Sequence, residues 1–346
     1  MAMTYSLNTR RLARYYSRDK GVSCDSGIGI SIEKYADKSQ NNDPKLPKES
    51  AAKVSLSPKA RRRLQNSINW LTACSAKRKV SINSGKSSFF FRVGFVTLTL
   101  PCKQLHSHAE IKSKCLNRFL TDLRRFHGVQ NYVWKAELQK NGNVHFHLTF
   151  DKFIHYLQLR KLWNNAISKL GYVQRYAFTF QNMTEAEYIK FRRQSSPASQ
   201  ERLRKAYAYG VSTNWQSPNT TDVKNVKNVK DLAAYLSKYM AKPLSDKNSN
   251  KGQQESAATW SGRTWFCSTS LSRLKSKKIE IDFKTRRIFN WFRDNRNLYR
   301  VDFDFCQCVF FQLSKLPKQV REWLRQELLS HAINSRYPFP DAIPVW

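Results

Sequence analysis

The run from Gly94 to Phe150 limits the folding of this chain more than any other stretch. "GFVTLTL" alternates apolar and polar residues and stops at Pro101, as a strand does. "SHAEIKSKCLNRFLTDLRRFHG" opens on a capping box, Ser107 with Glu110, and closes on Gly128. Its apolar positions Ile111, Cys115, Phe119 and Leu123 keep helical spacing. "NYVWKAELQ" and "VHFHLTF" then read as two strands about a "KNGN" turn. Beyond them, "HYLQLRKLWNNAISKLG" is a second amphipathic helix ending on Gly171, and "YVQRYAFTF" reads as one more strand.

Strand, helix, strand, strand, helix, strand is the split βαβ order. It predicts an α+β, ferredoxin-like antiparallel sheet with helices on one face and the other face open to a ligand. The flanks have a different texture. Residues 1–88 are rich in Ser, Asn, Lys and Arg and read as a basic, largely flexible arm with one helix around "SPKARRRLQNSINWLTAC". The central domain spans 89–272, with an insertion over about 182–230 that holds a basic helix beginning "TEAEYIKFRR" and a polar loop, "SPNTTDVKNVKNVK". "DLAAYLSKYMAKP" follows as a helix capped by Asp231 and stopped before Pro243. Residues 273–346 read as a basic α/β extension with strands and a helix, "LPKQVREWLRQELLSHAI".

Charge narrows the partners. Lys and Arg number 61 against 25 Asp and Glu, a formal +36 over 346 residues. Self-repulsion makes that imbalance costly, and a polyanionic partner accounts for it. Nucleic acid is favoured over a membrane, because the longest apolar run, "FFFRVGFVTLTL", is short and carries Arg92. The 7 Cys are scattered without CxxC pairs, which suggests reduced core thiols, and no apolar leader opens the chain. "SGKSS" resembles the end of a phosphate loop, but Val80 stands where such a loop needs glycine, so no ATPase or helicase module is expected.

Two histidines, His145 and His147, lie one residue apart in "VHFHLTF" and therefore share a strand face. A strand histidine is most often an ordinary hydrogen-bonded sheet residue, so a third group is needed to make a site. Glu137 on the preceding strand supplies it in one of two hairpin registers. A two-residue Asn141-Gly142 turn pairs Glu137 with Phe146, on the wrong face. A three-residue Lys140-Asn141-Gly142 loop, with the glycine left-handed, pairs Glu137 with His145 and Lys135 with His147. We expect the bulged register. It gathers a carboxylate and two imidazoles into an N,N,O half-shell suited to Mg²⁺ or Mn²⁺.

In "YLSKYMAK", Tyr235 and Tyr239 are four apart and share a helix face, with Lys238 and Lys242 three residues beyond each. Alone, the motif reads as an ordinary amphipathic helix. Beside a polarised phosphodiester, a tyrosine is a nucleophile that conserves the ester energy for rejoining, and two of them permit two transfers.

In this order, "FVTLTLP", "VHFHLTF" and "YLSKYMAK", with "GRTWFCS" at Gly262 to Ser268, resemble the rolling-circle replication initiators of the HUH endonuclease superfamily. They are most similar to the two-tyrosine replication proteins of small single-stranded-DNA phages. The resemblance covers about Phe91 to Leu274. It implies His145 and His147 as metal ligands, with Glu137 as a third by looser analogy. It further implies Tyr235 and Tyr239 as nucleophiles and Lys238 and Lys242 as phosphate-assisting groups. Thr97 and Thr99 of the first motif read as structural residues of the sheet face. The implied partners are single-stranded DNA at a replication origin and a host polymerase and helicase, in the cytoplasm of a bacterial host cell carrying a phage or plasmid. Arg124, Arg125, Arg192, Arg193, Arg286 and Arg287 are expected at phosphates, and Trp134, Trp215, Trp260 and Trp265 as stacking platforms for unpaired bases. The competing expectations are a non-catalytic single-stranded nucleic-acid-binding protein and, among enzymes, a two-tyrosine transposase.

Overall fold

The fold is that of a computed structural model, which describes residues 4–8, 11–15, 56–76, 78–82, 87–139, 141–194, 198–225, 262–279, 283–303, 306–311 and 315–339. Strands β1 (Thr4–Leu7) and β2 (Arg11–Tyr15) precede helix α1 (Pro58–Cys74). The hairpin β3 (Arg78–Ile82) and β4 (Ser87–Phe91) leads into β5 (Gly94–Leu98). A helical run follows, through α2 (His108–Glu110), a π-helical stretch (Ile111–Leu116) and α3 (Asn117–His127). Next come β6 (Tyr132–Leu138) and β7 (Val144–Phe150). Helices α4 (Tyr156–Ser168), α5 (Tyr172–Phe180), α6 (Glu185–Arg193) and α7 (Gln200–Ser212) lead to β8 (Thr221–Asn225). The remaining elements are β9 (Trp265–Cys267), α8 (Thr269–Arg273), β10 (Lys277–Ile279), α9 (Phe283–Asp294), β11 (Tyr299–Phe303), β12 (Cys306–Phe310) and α10 (Lys318–Asn334).

The fold is α+β. Its central sheet runs β8-β5-β7-β6-β9, antiparallel at every pairing. β5 and β6 therefore point the same way with β7 between them, and the helical crossover from one to the other steps over a strand. Val96, Leu98, Trp134, Ala136, Phe146 and Leu148 project from one face into a core completed by Phe119, Leu123, Leu159 and Trp163. The helix start and stop signals act as the sequence suggests. Ser107 and Glu110 form a reciprocal capping box, and Gly128, at φ 64°, closes α3 in the left-handed region that a side chain disfavours. Trp163 ties α4 to the sheet by donating from Nε1 to the Thr99 carbonyl at 2.7 Å.

The opposite face is only partly open, which corrects the expectation of helices on one side alone. Leu64, Ile68 and Leu71 of α1 belong to a second core with Phe95, Val133 and Cys267 of that face. The same core takes in Leu7, Leu12, Phe289, Phe292, Leu324 and Leu328. These come from beneath the second five-stranded sheet, β10-β1-β2-β12-β11, and from its helices. Within the stretch expected as a flexible arm, β1, β2 and α1 are thus regular elements, and β1 and β2 pair with strands of the C-terminal region.

Two element assignments are overturned. "YVQRYAFTF" is helix α5 rather than a strand. Its aromatic and β-branched residues suggest a strand, but Tyr172, Val173, Ala177 and Phe180 are buried at helical intervals, and burial outweighs propensity. The edge strand beside β5 is instead β8, drawn from the stretch expected to be a polar loop. Its polar Thr, Asp and Lys residues suit an edge, where only one flank has a partner.

Candidate metal centre

The hairpin between β6 and β7 adopts the bulged register. Glu137 lies opposite His145 and Lys135 opposite His147. Gly142 sits at φ 83°, the Gln139 N–H donates to the Asn143 carbonyl at 2.8 Å, and the Gly142 N–H donates to the Gln139 carbonyl at 2.9 Å. Asn141 Oδ1 accepts from the Asn143 N–H at 3.0 Å, so the side chain braces the turn. Because strand side chains alternate, this register puts Lys135, Glu137, His145 and His147 on one face, away from the helical core.

Glu137 is the hub of the group. Its Oε2 lies 3.0 Å from His147 Nε2 and 3.3 Å from His145 Nε2, and its Oε1 accepts from Lys135 Nζ at 2.8 Å. Burial pushes the Glu137 carboxyl up, but the two imidazoles and the Lys135 ammonium outweigh it and hold the carboxyl far below the usual carboxylate range. Burial is also the largest influence on His147 and lowers its basicity, only partly countered by Glu137. A carboxylate beside a neutral imidazole is the protonation state in which both bind a metal.

Two neighbours fix the His147 ring. Phe95 stacks on it with centroids 5.6 Å apart and planes within 12°, and Thr97 Oγ1 lies 3.0 Å from Nδ1. In neutral His147, Nε2–H donates to Glu137 while Nδ1 accepts from the Thr97 hydroxyl. A cation held at Nε2 needs the opposite tautomer, and a hydroxyl serves that one equally well by accepting from Nδ1–H. The registers place Asp222, Thr97, His147, Lys135 and Trp265 in one row across the sheet.

One ligand atom from each of Glu137, His145 and His147 lies within 4.8 Å of the others, and the three side chains are 12%, 16% and 10% exposed. Two imidazole nitrogens and a carboxylate oxygen, close together yet reachable from solvent, fit a divalent cation with open coordination positions. Tyr235, Lys238, Tyr239 and Lys242 lie outside the described residues.

The expected DNA-contacting residues divide. Arg124, Arg125, Arg193, Arg286 and Arg287 are exposed and Arg192 is half-buried. Trp134 and Trp215 are core residues, one against the sheet helices and the other within the α5–α7 cluster, so neither is a platform for bases. Trp265 is partly buried against the second core, and Trp260 lies outside the described residues. The exposed rings are others, including Phe126 with Arg125 over it at 5.3 Å and Tyr156 with Arg160 over it at 5.6 Å. Arg125 and Phe126 adjoin in "RRFHG", and Tyr156 and Arg160 are four apart in "HYLQLR". That spacing was the available signal for the second pair.

A family model for replication-associated proteins of the ORF2 type matches residues 93–244. The matched stretch contains all three candidate ligands and the "YLSKYMAK" segment, and it supports a replication-initiator role for the chain. No curated protein and no solved structure matches. Among the described residues, no helix is long and apolar enough to cross a membrane.

Proposed function

We propose that this protein is a rolling-circle replication initiator of the HUH type, a metal-dependent, sequence-specific nickase and strand transferase acting on single-stranded DNA at an origin. The convergence of Glu137, His145 and His147 on one sheet face, inside the stretch matched to replication-associated proteins, carries this reading. The cation we assign to the three ligands is Mg²⁺ or Mn²⁺, which when bound withdraws charge from the scissile phosphate.

The chain's own groups do the rest. Thr97 and Phe95 hold His147 in register, and Lys135 holds Glu137. Tyr235 or Tyr239 presents its phenol oxygen to phosphorus. That oxygen–phosphorus bond forms as the bond from phosphorus to the 3′ oxygen breaks, leaving a 5′-phosphotyrosine and a 3′-hydroxyl that takes up a proton. Lys238 and Lys242 neutralise the phosphate and phenolate charge. The 3′-hydroxyl primes a host polymerase while a host helicase unwinds the template. After one round, the second tyrosine cuts the regenerated origin and the freed 3′-hydroxyl reseals the displaced strand. The setting is the cytoplasm of a bacterial host carrying a phage or plasmid. Within the chain, we assign the nuclease domain to residues 89–272, built as a ferredoxin-like sheet.

The test is a denaturing gel of the protein with a pool of origin-containing single strands, with Mn²⁺ or with EDTA. The variants are Tyr235→Phe, Tyr239→Phe, the double mutant and His147→Ala. A covalent adduct is expected in Mn²⁺ alone, lost in the double mutant and in His147→Ala. Tight binding with no cleavage under any divalent cation would replace the nickase with a non-catalytic single-strand-binding protein.

A further inference from the structure

Lys135 is 1% exposed, an unusual place for an ammonium, and it stands beside the ligand cluster rather than across from the DNA. Its Nζ donates to Glu137 Oε1 at 2.8 Å, whereas Glu137 Oε2 is the oxygen shared by both imidazoles, at 3.0 and 3.3 Å. The carboxylate is divided between two duties, one oxygen toward the ligand cluster and the other tied to a buried cation. Cross-strand pairing with His147 and Trp265 fixes the backbone of Lys135, so this division is built into the sheet.

We propose that Lys135 is a positioning residue that confines Glu137 to one-oxygen ligation and thereby selects small divalent cations over Ca²⁺. This rests on the metal-centre reading above. Mg²⁺ and Mn²⁺ accept one oxygen per carboxylate in a compact octahedron, whereas Ca²⁺, with longer bonds and more ligands, gains from a carboxylate that chelates through both oxygens. An ammonium on Oε1 blocks that chelation. It also places a positive charge next to the site, which lowers affinity for every cation alike. The ratio of two affinities cancels that common effect and leaves the geometric one.

The experiment is calorimetric titration of Mn²⁺ and of Ca²⁺, without DNA, into wild type and into the Lys135→Met, Lys135→Gln and His147→Ala variants. Each variant is first checked for folding by circular dichroism. Wild type is expected to prefer Mn²⁺, and Lys135→Met to lower the Mn²⁺ to Ca²⁺ preference about tenfold, chiefly through stronger Ca²⁺ binding. Lys135→Gln, which keeps a hydrogen-bond donor for Oε1 without the charge, should bind both ions more tightly and preserve the preference. If Lys135→Met does not fold, the glutamine variant decides, and a lost preference there overturns the proposal. A preference unchanged in folded Lys135→Met overturns it while the metal centre stands, provided His147→Ala has lost Mn²⁺ binding. No Mn²⁺ binding by wild type overturns the metal centre and this role together.

Discussion

His147 shows how much a single residue depends on neighbours that are distant in sequence. Thr97, fifty positions earlier, meets its Nδ1 across the β5–β7 ladder, and Phe95 covers its ring. The Thr97→Val variant keeps the shape of the side chain and removes the hydroxyl that accepts Nδ1–H in the ligating tautomer. Mn²⁺ affinity should fall about tenfold with the melting temperature of the cation-free protein little changed, as read by calorimetry and by thermal melting. Equal Mn²⁺ affinity in the two proteins would remove Thr97 from the centre. The period of two in "VHFHLTF" makes His145 and His147 co-facial, and the glycine in "KNGN" makes the register with Glu137 readable. Face and register were therefore legible. Thr97 reads as a structural sheet residue because periodicity assigns a face but says nothing of which strand lies alongside. The bulged register puts Lys135 opposite His147, yet its burial and its bond to Glu137 follow from packing that periodicity does not describe.

At the scale of elements, the hairpin that carries the site is held against β5 by close packing. A Cβ added to Gly94 would lie 2.6 Å from the Phe150 ring, and Phe150 is 1% exposed, with no room to swing away. Gly94→Ala should destabilise the protein by about 1–3 kcal/mol, read as a lower urea midpoint at unchanged m-value. A midpoint equal to wild type would show that the ring moves aside freely. The helix ends around α2 and α3 were legible because capping is local chemistry, written in Ser107, Glu110 and Gly128. The strand expected over "YVQRYAFTF" fails because Tyr, Val and Phe favour strands, while tertiary burial of Tyr172, Val173, Ala177 and Phe180 decides for helix. β8 was hidden for the opposite reason. An edge strand of Thr, Asp, Val, Lys and Asn carries little apolar alternation, and only its pairing with β5 defines it.

For the whole molecule, a formal charge of +36 points to nucleic acid, and the match of residues 93–244 to replication-associated proteins agrees with it. Charge does not say which side chains meet DNA. It favours no particular arginine, and tryptophan content likewise does not separate core residues such as Trp134 and Trp215 from surface rings such as Phe126. The joining of β1 and β2 to β10 and β12 was not readable either, because partners so far apart in sequence leave no local pattern. The central claim is that a Glu137–His145–His147 centre serves tyrosine attack on DNA. Its most direct test is mass spectrometry of protease-digested protein after incubation with origin DNA and Mn²⁺. The account predicts a nucleotide-bearing peptide modified at Tyr235 or Tyr239, absent when EDTA is present. Origin DNA cleaved in Mn²⁺ with both tyrosines unmodified throughout the reaction would contradict it.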